Sequence, residues 1–275
     1  MMIRSVLALV GATGIVAVAA FGRDMDVATL PPAPDIADVT VEQWAALGAR
    51  QIFFGHQSVG ENLIAGVEDV LRARTDIPIQ VRLTDDPSEM AAPGLYHARI
   101  GQNGFPATKL EAFTEIVSDS LIASTGTVIL KLCYLDIAPG VDPEAGFAQY
   151  RHTVDSLRTA HPGVTIVHVT TPLTTDVGWP RHVAAGLRGL TSQREGNYLR
   201  ARYNELLQET YGGRDPVFDL ARLEATDADG RVHTVRIHGT SVPILLDEWS
   251  SDGSHLNDAG RRRIAEAFLV TLAEL

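Results

Sequence analysis

Short apolar runs alternate along this chain with longer stretches in which apolar residues recur every three or four positions. The runs have the length of buried strands, and the longer stretches have the spacing of amphipathic helices. The predicted strands are residues 51–56, 78–84, 126–132, 165–171 and 217–220. The predicted helices are residues 41–50, 59–74, 108–123, 143–160, 190–211 and 257–275. Such alternation is typical of a parallel sheet covered by helices on both faces, so we predict an α/β fold built as a three-layer α/β/α sandwich.

Two connecting segments depart from this alternation. Residues 85–104 have the pattern of a loop. Residues 173–189 follow a strand end, where open parallel sheets place their binding crevice. This second segment either shapes a substrate site or is a plain surface connection. The residues that favour a substrate site are Trp179, Pro180, Arg181, His182 and Arg188.

A third departure, between residues 224 and 248, has the pattern of a β-hairpin. Asp229-Gly230 is a turn signal, and it is flanked by Val232, Val235 and Ile237. We therefore predict a two-stranded ribbon appended to the main sheet.

The N-terminal residues 1–20 have the pattern of a secretory signal peptide. A positive start at Arg4 precedes an apolar stretch, and Ala17-Val18-Ala19 fits the small-x-small cleavage pattern. The stretch is shorter than the roughly 20 residues of a spanning helix, but an uncleaved signal anchor is the alternative. We therefore expect a secreted or periplasmic protein, or one anchored in the membrane and facing outside. The proline-rich residues 21–45 are predicted to be a linker, and residues 46–275 the folded domain.

Composition limits the classes of function. The 275 residues are 45% hydrophobic, which fits one globular domain. The formal net charge is −11, the pI is about 5.2, and no basic run stands out. Nucleic acid is therefore not an expected partner. A single cysteine, Cys133, excludes an internal disulfide and a multi-cysteine metal site.

A serine follows the first predicted strand of the domain at a tight turn. The apolar run ends at Gly55, Ser58 comes three residues later, and the predicted helix begins at Val59. This turn lifts the hydroxyl out of the sheet, and the helix start offers unpaired N–H groups and a positive dipole end. Negative charge that develops beside Ser58 would be stabilised there, so Ser58 is a candidate nucleophile. The alternative is that Ser58 only caps the helix.

A base for Ser58 is predicted near the C-terminus. His255 lies just before the last helix, and Asp252 lies three residues earlier on the same loop. A carboxylate there can accept the Nδ1–H of the imidazole, which leaves Nε2 free to take the serine proton. The alternative is that both are ordinary polar loop residues. His56 is a rival base, but neighbouring side chains usually point apart, so we expect it to flank the site.

These two motifs resemble those of the SGNH hydrolases, the superfamily that includes the GDSL esterases and lipases. The serine turn reads Gly55-His56-Gln57-Ser58, and the last motif reads Asp252-Gly253-Ser254-His255-Leu256-Asn257. The family has a G-D-S turn after its first strand and a D-x-x-H motif before its final helix. The resemblance covers about residues 49–275, although His-Gln replaces the single aspartate before the serine. It implies a flavodoxin-like sheet and a triad of Ser58, His255 and Asp252.

The same resemblance implies an oxyanion hole with three donors. The family uses the N–H of the serine, a glycine N–H after the second strand and an asparagine side chain after the third strand. Ser58 supplies the first donor, and Gly104 is the expected second donor, with Gly101 as the alternative. Leu135 stands where the asparagine is expected, directly before Asp136, which matches the aspartate of the family motif.

A leucine cannot donate a hydrogen bond, and the loss of one oxyanion donor costs about 10²–10³ in rate. The candidates for a replacement are Asn103, Asn62 and Tyr134, although Tyr134 is equally well explained as part of the core. We place Asn103 in the oxyanion hole. The accessory candidates are His56, Asn62, Tyr134 and Asp136.

The sequence as a whole predicts a serine esterase that hydrolyses O-acyl esters, with acetyl as the expected acyl group, of a carbohydrate or cell-envelope substrate. Neither a metal nor an organic cofactor is expected. The expected partner is a small-molecule or glycan ester, and contact with a membrane is expected only through an uncleaved anchor. The alternatives are an O-acyltransferase or a lipase or lysophospholipase with the same triad, and a non-catalytic glycan-binding protein with the same fold.

Overall fold

The computed structural model describes residues 27–29, 35–176 and 193–275. The strands are β1 (Val27–Thr29), β2 (Gln51–His56), β3 (Val81–Leu83), β4 (Gly94–Arg99), β5 (Thr127–Leu130), β6 (Thr165–Val169), β7 (Val217–Phe218), β8 (Arg231–Ile237) and β9 (Thr240–Pro243). The helices are α1 (Val41–Gly48), α2 (Ser58–Ala73), α3 (Pro106–Asp119), α4 (Ile122–Thr125), α5 (Pro143–Ala160), α6 (Gln193–Tyr211), α7 (Leu220–Ala225) and α8 (Asp258–Ala273).

Six strands form one parallel sheet in the order β3-β4-β2-β5-β6-β7. From β4 to β7 the strands follow the order 2-1-3-4-5 of flavodoxin-like sheets, and β3 is an additional edge strand. The predicted α/β/α sandwich with a parallel sheet is confirmed. Ligands of such sheets bind at the point where the strand order reverses, which here lies at the carboxyl ends of β2 and β5.

Helices cover both faces of this sheet, as two neighbouring residues of β2 show. Side chains alternate between the faces of a strand, so Phe53 and Phe54 point in opposite directions. Phe54 packs on Phe268 of α8, with ring centroids 5.5 Å apart, in the core that α1, α2 and α8 cover. Phe53 packs on Phe113 of α3 at 6.0 Å, in the core formed with α3, α5 and α6.

Strand β4 lies inside the segment 85–104 that was predicted to be a loop. Its sequence, Gly94-Leu-Tyr-His-Ala-Arg99, contains no apolar run, yet all its residues except Arg99 are buried. It is buried because β3 and β2 pair with its two edges and because the cores on both faces of the sheet cover its side chains, with Leu95 in one core and Tyr96 in the other. The loop prediction is therefore wrong for residues 94–99.

The predicted appended hairpin is confirmed, but its turn is not at Asp229-Gly230. β8 and β9 are joined at His238-Gly239, whose φ angles of 49° and 81° are those that a two-residue type I′ turn requires. Asp229-Gly230 instead belongs to the connection that leads into β8, where Asp227 accepts the backbone N–H groups of residues 229 and 231.

Part of the predicted linker, residues 21–45, is ordered structure. β1 pairs antiparallel with β8 and makes the ribbon three-stranded, and α1 begins at Val41. β1 forms there because the free edge of β8 offers it backbone partners. The predicted signal peptide and residues 177–189, which include Trp179 and Arg188, lie outside the described residues. No helix in the described part of the chain is long and apolar enough to cross a membrane.

Candidate active site

Ser58 is the first residue of α2 and follows β2, a central strand of the sheet. The N-cap position is occupied by Gln57, which makes no side-chain capping bond, so Ser58 is not the cap of this helix. Ser58 is half-buried. Its hydroxyl therefore belongs to the first helical turn, where backbone N–H groups have no partner within the helix and the dipole favours negative charge.

Gln57 joins the serine turn to the loop after β4. Its Nε2 donates hydrogen bonds to the carbonyl oxygens of Ile100, at 3.0 Å, and Gly101, at 2.9 Å. An aspartate, the residue before the serine in a G-D-S turn, could not make these bonds because a carboxylate has no hydrogen to donate. The loop that holds the candidate oxyanion residues is thereby fixed beside Ser58.

His56 lies beneath the serine turn and is not placed to act as a base. The ring is fully buried, and its Nε2 lies 3.0 Å from Nδ1 of His97. Its Nδ1 lies 3.2 Å from the carbonyl oxygen of Gln57, which can only accept, so Nδ1 carries the proton. Burial lowers the pKa of His56 to about 3 and keeps the ring neutral. The helix approaches so closely that a Cβ on Gly60 would lie 2.3 Å from Cβ of His56.

Asp252 and His255 form a pair on the loop before α8. Nδ1 of His255 lies 2.7 Å from Oδ2 of Asp252. Oδ1 of Asp252 accepts the backbone N–H groups of Ser254 and His255, both at 2.9 Å. Burial opposes ionisation of Asp252, but these hydrogen bonds prevail and hold its pKa below the usual range. A carboxylate in this position directs Nε2 of His255 away from the loop, as a general base requires.

The loop itself is held in one conformation by local bonds. Ser251 N–H donates to the carbonyl of His255 at 2.9 Å, and Thr175 N–H donates to the carbonyl of Gly253 at 2.9 Å. Gly253 has φ of 94°, and a Cβ there would lie 3.0 Å from Oγ1 of Thr175. Glycine is therefore required at this position both for the backbone angle and for the close approach.

Two contacts place the loop of His255 against the start of α2 and the loop after β5. Oδ1 of Asn62, one turn beyond Ser58, accepts the N–H of Leu256 at 3.3 Å. The ring of Tyr134 meets the ring of His255 edge-on, with centroids 6.1 Å apart. Within the described residues the hydrogen bonds of the imidazole go to Asp252 and Ser254, and none joins it to Ser58. Nucleophile–base hydrogen bonds are often long in enzymes without substrate and tighten in the reacting complex.

The expected oxyanion donor Gly104 is directed at a carboxylate. Its N–H donates to Oδ1 of Asp136 at 2.9 Å, so we correct its assignment to the oxyanion hole. Asp136 also accepts the N–H of Cys133, at 2.6 Å, and forms an ion pair with Lys109, at 2.5 Å. Both charged side chains are fully buried. Asp136 therefore acts as a structural link between the loops after β4 and β5.

The loop after β5 is also held from behind by Arg200 of α6. Its Nη1 donates to the carbonyl oxygens of Tyr134, at 3.0 Å, and Ile137, at 3.3 Å. Burial lowers the pKa of Arg200 to about 10, which still leaves the guanidinium charged at neutral pH. The backbone at Leu135, where the sequence lacks the expected asparagine, is thus rigidly placed.

Sequence reasoning missed Gln57, His97 and Lys109 as parts of the site. Lys109 gave a signal, since it lies four residues before Phe113 on the buried stripe of α3, where a charged residue needs a partner. The sequence contains no comparable signal for Gln57 and His97, because their hydrogen-bond partners lie on segments distant in sequence.

Among the described residues, no group of three or more histidine, cysteine, aspartate or glutamate side chains is arranged to hold a metal ion.

Comparison with known proteins gives remote similarities. No family model and no curated protein matches the sequence. A solved structure described as a lipolytic protein of the G-D-S-L family, from Desulfitobacterium hafniense DCB-2, has a TM-score of 0.44 and 14% identity, and the match covers 81% of this chain and 99% of that one. A structure described as a GDSL-like lipase, from Parabacteroides merdae, has a TM-score of 0.47 and 13% identity, with 82% and 95% covered. An acetyl esterase mutant with acetate ion has a TM-score of 0.45 and 14% identity, with 82% and 97% covered. Because the similarity is remote at these values, the function is inferred from the site of this chain.

Proposed function

We propose that this protein is a serine esterase with Ser58 as nucleophile, His255 as general base and acid, and Asp252 as the residue that orients His255. The observation that carries the proposal is the 2.7 Å contact between Asp252 and Nδ1 of His255 on a loop that Asn62 ties to the helix of Ser58. A carboxylate on Nδ1 fixes the tautomer in which Nε2 can accept a proton.

The reaction proceeds in two steps. Oγ of Ser58 attacks the ester carbonyl carbon while His255 Nε2 takes the hydroxyl proton, and a tetrahedral oxyanion forms. The bond to the alcohol oxygen breaks, and the alcohol leaves with the proton from His255. A water molecule then attacks the acyl-enzyme, again with its proton passing to His255, and the acid is released as Ser58 regains its proton.

The test is the variant Ser58→Ala. We expect hydrolysis of p-nitrophenyl acetate and labelling by a fluorophosphonate to disappear, because both need the hydroxyl. Circular dichroism serves as the control for folding, since Ser58 caps no helix. Turnover that persists unchanged in the folded variant would exclude the proposal, and saturable glycan binding without any labelling of the wild type would favour a non-catalytic role.

The finer substrate is part of the same proposal. An O-acetyl ester of a carbohydrate or cell-envelope polymer is supported by the predicted export of the chain. A panel of acetylated sugars and polysaccharides, assayed for released acetate, tests it. Transfer of acetyl to an added sugar at a rate above hydrolysis would instead favour the acyltransferase alternative.

A second candidate, an esterase for longer acyl chains, is favoured by two apolar side chains. Phe105 and Leu135 are 57% and 42% exposed, and they lie on the two loops that the Gly104–Asp136 bond joins. Exposed apolar residues beside a site can bind an acyl chain. If they do, p-nitrophenyl octanoate will be preferred over the acetate, and Phe105→Ser will lower that preference.

A further inference from the structure

We propose that the side-chain amide of Asn103 supplies the oxyanion donor that is missing at Leu135, and that the buried pair of Lys109 and Asp136 positions it. The inference rests on the proposed function, since an oxyanion arises only if Ser58 attacks an ester. Asn103 lies on the loop between β4 and α3, and Leu135 lies on the loop after β5. In this proposal, the donor lies on the loop after β4 instead of the neighbouring loop after β5.

Three backbone N–H groups next to Asn103 on this loop already have acceptors. The N–H of Gln102 donates to Oγ1 of Thr108 at 2.9 Å, and the N–H of Phe105 donates to the carbonyl of Gln102 at 3.1 Å. The N–H of Gly104 donates to Asp136. These three groups are therefore committed before a substrate arrives.

The remaining alternative donor is the backbone N–H of Gly101, which points away from the serine turn. The carbonyl oxygen of Ile100 points at Nε2 of Gln57, at 3.0 Å. The C=O and N–H groups of a trans peptide point in opposite directions, so the N–H of Gly101 points away from the serine turn. Asn103 is therefore the residue of this loop that remains as a donor.

Lys109 determines which end of the Asn103 amide faces the site. Its Nζ lies 2.9 Å from Oδ1 of Asn103. An ammonium group only donates, so the amide atom that faces it must be the oxygen. The Nδ2 group then points away from Lys109, and it has no hydrogen-bond partner among the residues that the structure describes. Asn103 is half-buried, which leaves its N–H groups within reach of a ligand.

The buried ion pair makes this orientation rigid. Lys109 and Asp136 have no solvent exposure, and their charged atoms lie 2.5 Å apart. A buried ammonium group is stable only with such a partner, so Lys109 cannot move to solvent without leaving Asp136 uncompensated. The donor is therefore already oriented before the reaction, as an efficient oxyanion hole requires.

Asn103 also lies on the loop that binds the serine turn. The carbonyl of Gly101 lies 2.9 Å from Nε2 of Gln57, the residue before Ser58. Asn103 is two residues beyond Gly101, which places its Cα within about 7 Å of that glycine. The loop of Asn103 is therefore held against the residue that precedes Ser58.

The decisive variant is Asn103→Asp, compared with Asn103→Ala. The aspartate keeps the oxygen that Lys109 binds but has no N–H to donate, so a purely structural role would survive this change. We expect both variants to lower kcat for p-nitrophenyl acetate by about 10²–10³-fold with little change in KM. Affinity for an alkyl trifluoromethyl ketone, which forms a tetrahedral oxyanion on Ser58, should fall by a similar factor.

Gln102→Glu is the control for the added charge, because the exposed Gln102 is the neighbouring residue on the same loop. It should stay within about threefold of the wild type. Activity of Asn103→Asp within threefold of the wild type, or unchanged affinity of the ketone, would overturn the inference. Loss of labelling at Ser58 in the wild-type protein would instead overturn the proposed function, so the two failures are distinguishable.

The role of Lys109 is tested in the double variant Lys109→Met/Asp136→Asn, which removes both buried charges together and avoids an unpaired one. The Asn103 amide is then free to rotate. We expect kcat to fall between about 10-fold and 10²-fold at unchanged KM, since small misplacements of catalytic groups cost this much. A folded double variant with wild-type kcat and ketone affinity would exclude the positioning role.

Discussion

Two buried histidines, His56 and His168, give the fold a built-in dependence on pH. His168 lies on β6, where Nδ1 is 2.7 Å from the hydroxyl of Tyr150. Its pKa is lowered to about 3, by burial first and then by Arg158, against the opposing effect of Asp215. The pKa of His56 is also lowered to about 3. Both rings therefore stay neutral in the folded protein at pH values where they take up protons in the unfolded chain.

Stability should therefore fall as the pH is lowered. The unfolded histidine has a pKa of about 6.5, so between about pH 6.5 and 3 the unfolded state binds more protons than the folded state. Each histidine then removes about 1.4 kcal/mol of unfolding free energy per pH unit. We expect His168→Phe to reduce this slope by that amount. Urea unfolding at pH 7, 6 and 5 measures it, and an unchanged slope in the variant would contradict the assignment.

At the residue scale, the sequence predicted the parts of the site that depend on short spacing. Asp252 and His255 are three residues apart on one loop, and their contact in the structure follows from that spacing. The contacts of Lys109 with Asp136 and of Gln57 with Ile100 join segments that only the folded sheet brings together. No local sequence pattern identifies the partners of these side chains. The hydrogen bond from Gly104 N–H to Asp136 could therefore not be predicted.

At the element scale, the loop between the short 3₁₀ helix Asp247–Trp249 and α8 is the unit that holds His255, the proposed general base. Its ends are paired by a bridge between Ser250 and Leu256. Gly253, at the tip, has a positive φ and lies against Thr175. The loop thus depends on one glycine both for its shape and for its contact with the segment after β6.

We expect Gly253→Ala to lower the kcat of the esterase reaction by more than its loss of stability explains. An alanine at positive φ costs about 1–2 kcal/mol, and the added methyl group also displaces the loop from Thr175. Gly213→Ala is the matched control, because Gly213 also has positive φ, at 74°, but has nothing within 4 Å of the position of a Cβ. Comparable loss of unfolding free energy in both variants, with kcat reduced only in Gly253→Ala, is the expected result. Equal kcat in the two variants would show that the loop tolerates the displacement.

The way in which each strand is buried explains which strands could be predicted from the sequence. Strands with continuous apolar runs, such as β5, were predicted close to their observed bounds. β4 was missed because its burial comes from neighbours rather than from its own composition. His97 on this strand is satisfied by His56, and the hydroxyl of Tyr96 donates to the carbonyl of Ala92 at 2.7 Å. Polar groups with such partners are compatible with a strand interior, but the sequence alone does not show the partners.

At the scale of the whole molecule, the packing of α2 on α8 joins the elements that carry the proposed nucleophile and the proposed base. Ser58 begins α2, and His255 lies just before α8. Gly66 of α2 allows the helices to meet closely, since a Cβ there would lie 2.5 Å from the carbonyl oxygen of Arg261 and 2.9 Å from Cβ of Ala265. The carbonyl oxygen of Arg261 is a backbone atom, so it cannot rotate away from an added methyl group.

Gly66→Ala should therefore force the two helices apart. We expect a loss of about 1–3 kcal/mol of unfolding free energy, as for other overpacked interfaces, together with a lower kcat. Gly146→Ala on α5 is the control, because its nearest contact is the flexible end of Ile137 at 3.3 Å. There the gain in helix propensity, up to about 1 kcal/mol, should offset any crowding. Thermal unfolding and esterase assays of both variants distinguish the two effects, and a fully active, equally stable Gly66→Ala would contradict the role of this contact.

The contact between Asn62 and Leu256 joins residues 194 positions apart in the chain, and this separation has a consequence for synthesis. Chains are made at about 5–20 residues per second, so the helix of Ser58 leaves the ribosome about 10 to 40 seconds before the loop of His255 exists. During that interval the growing chain carries the serine without its base. The proposed esterase activity therefore requires that the loop before α8 has been made and that α8 has docked on α2.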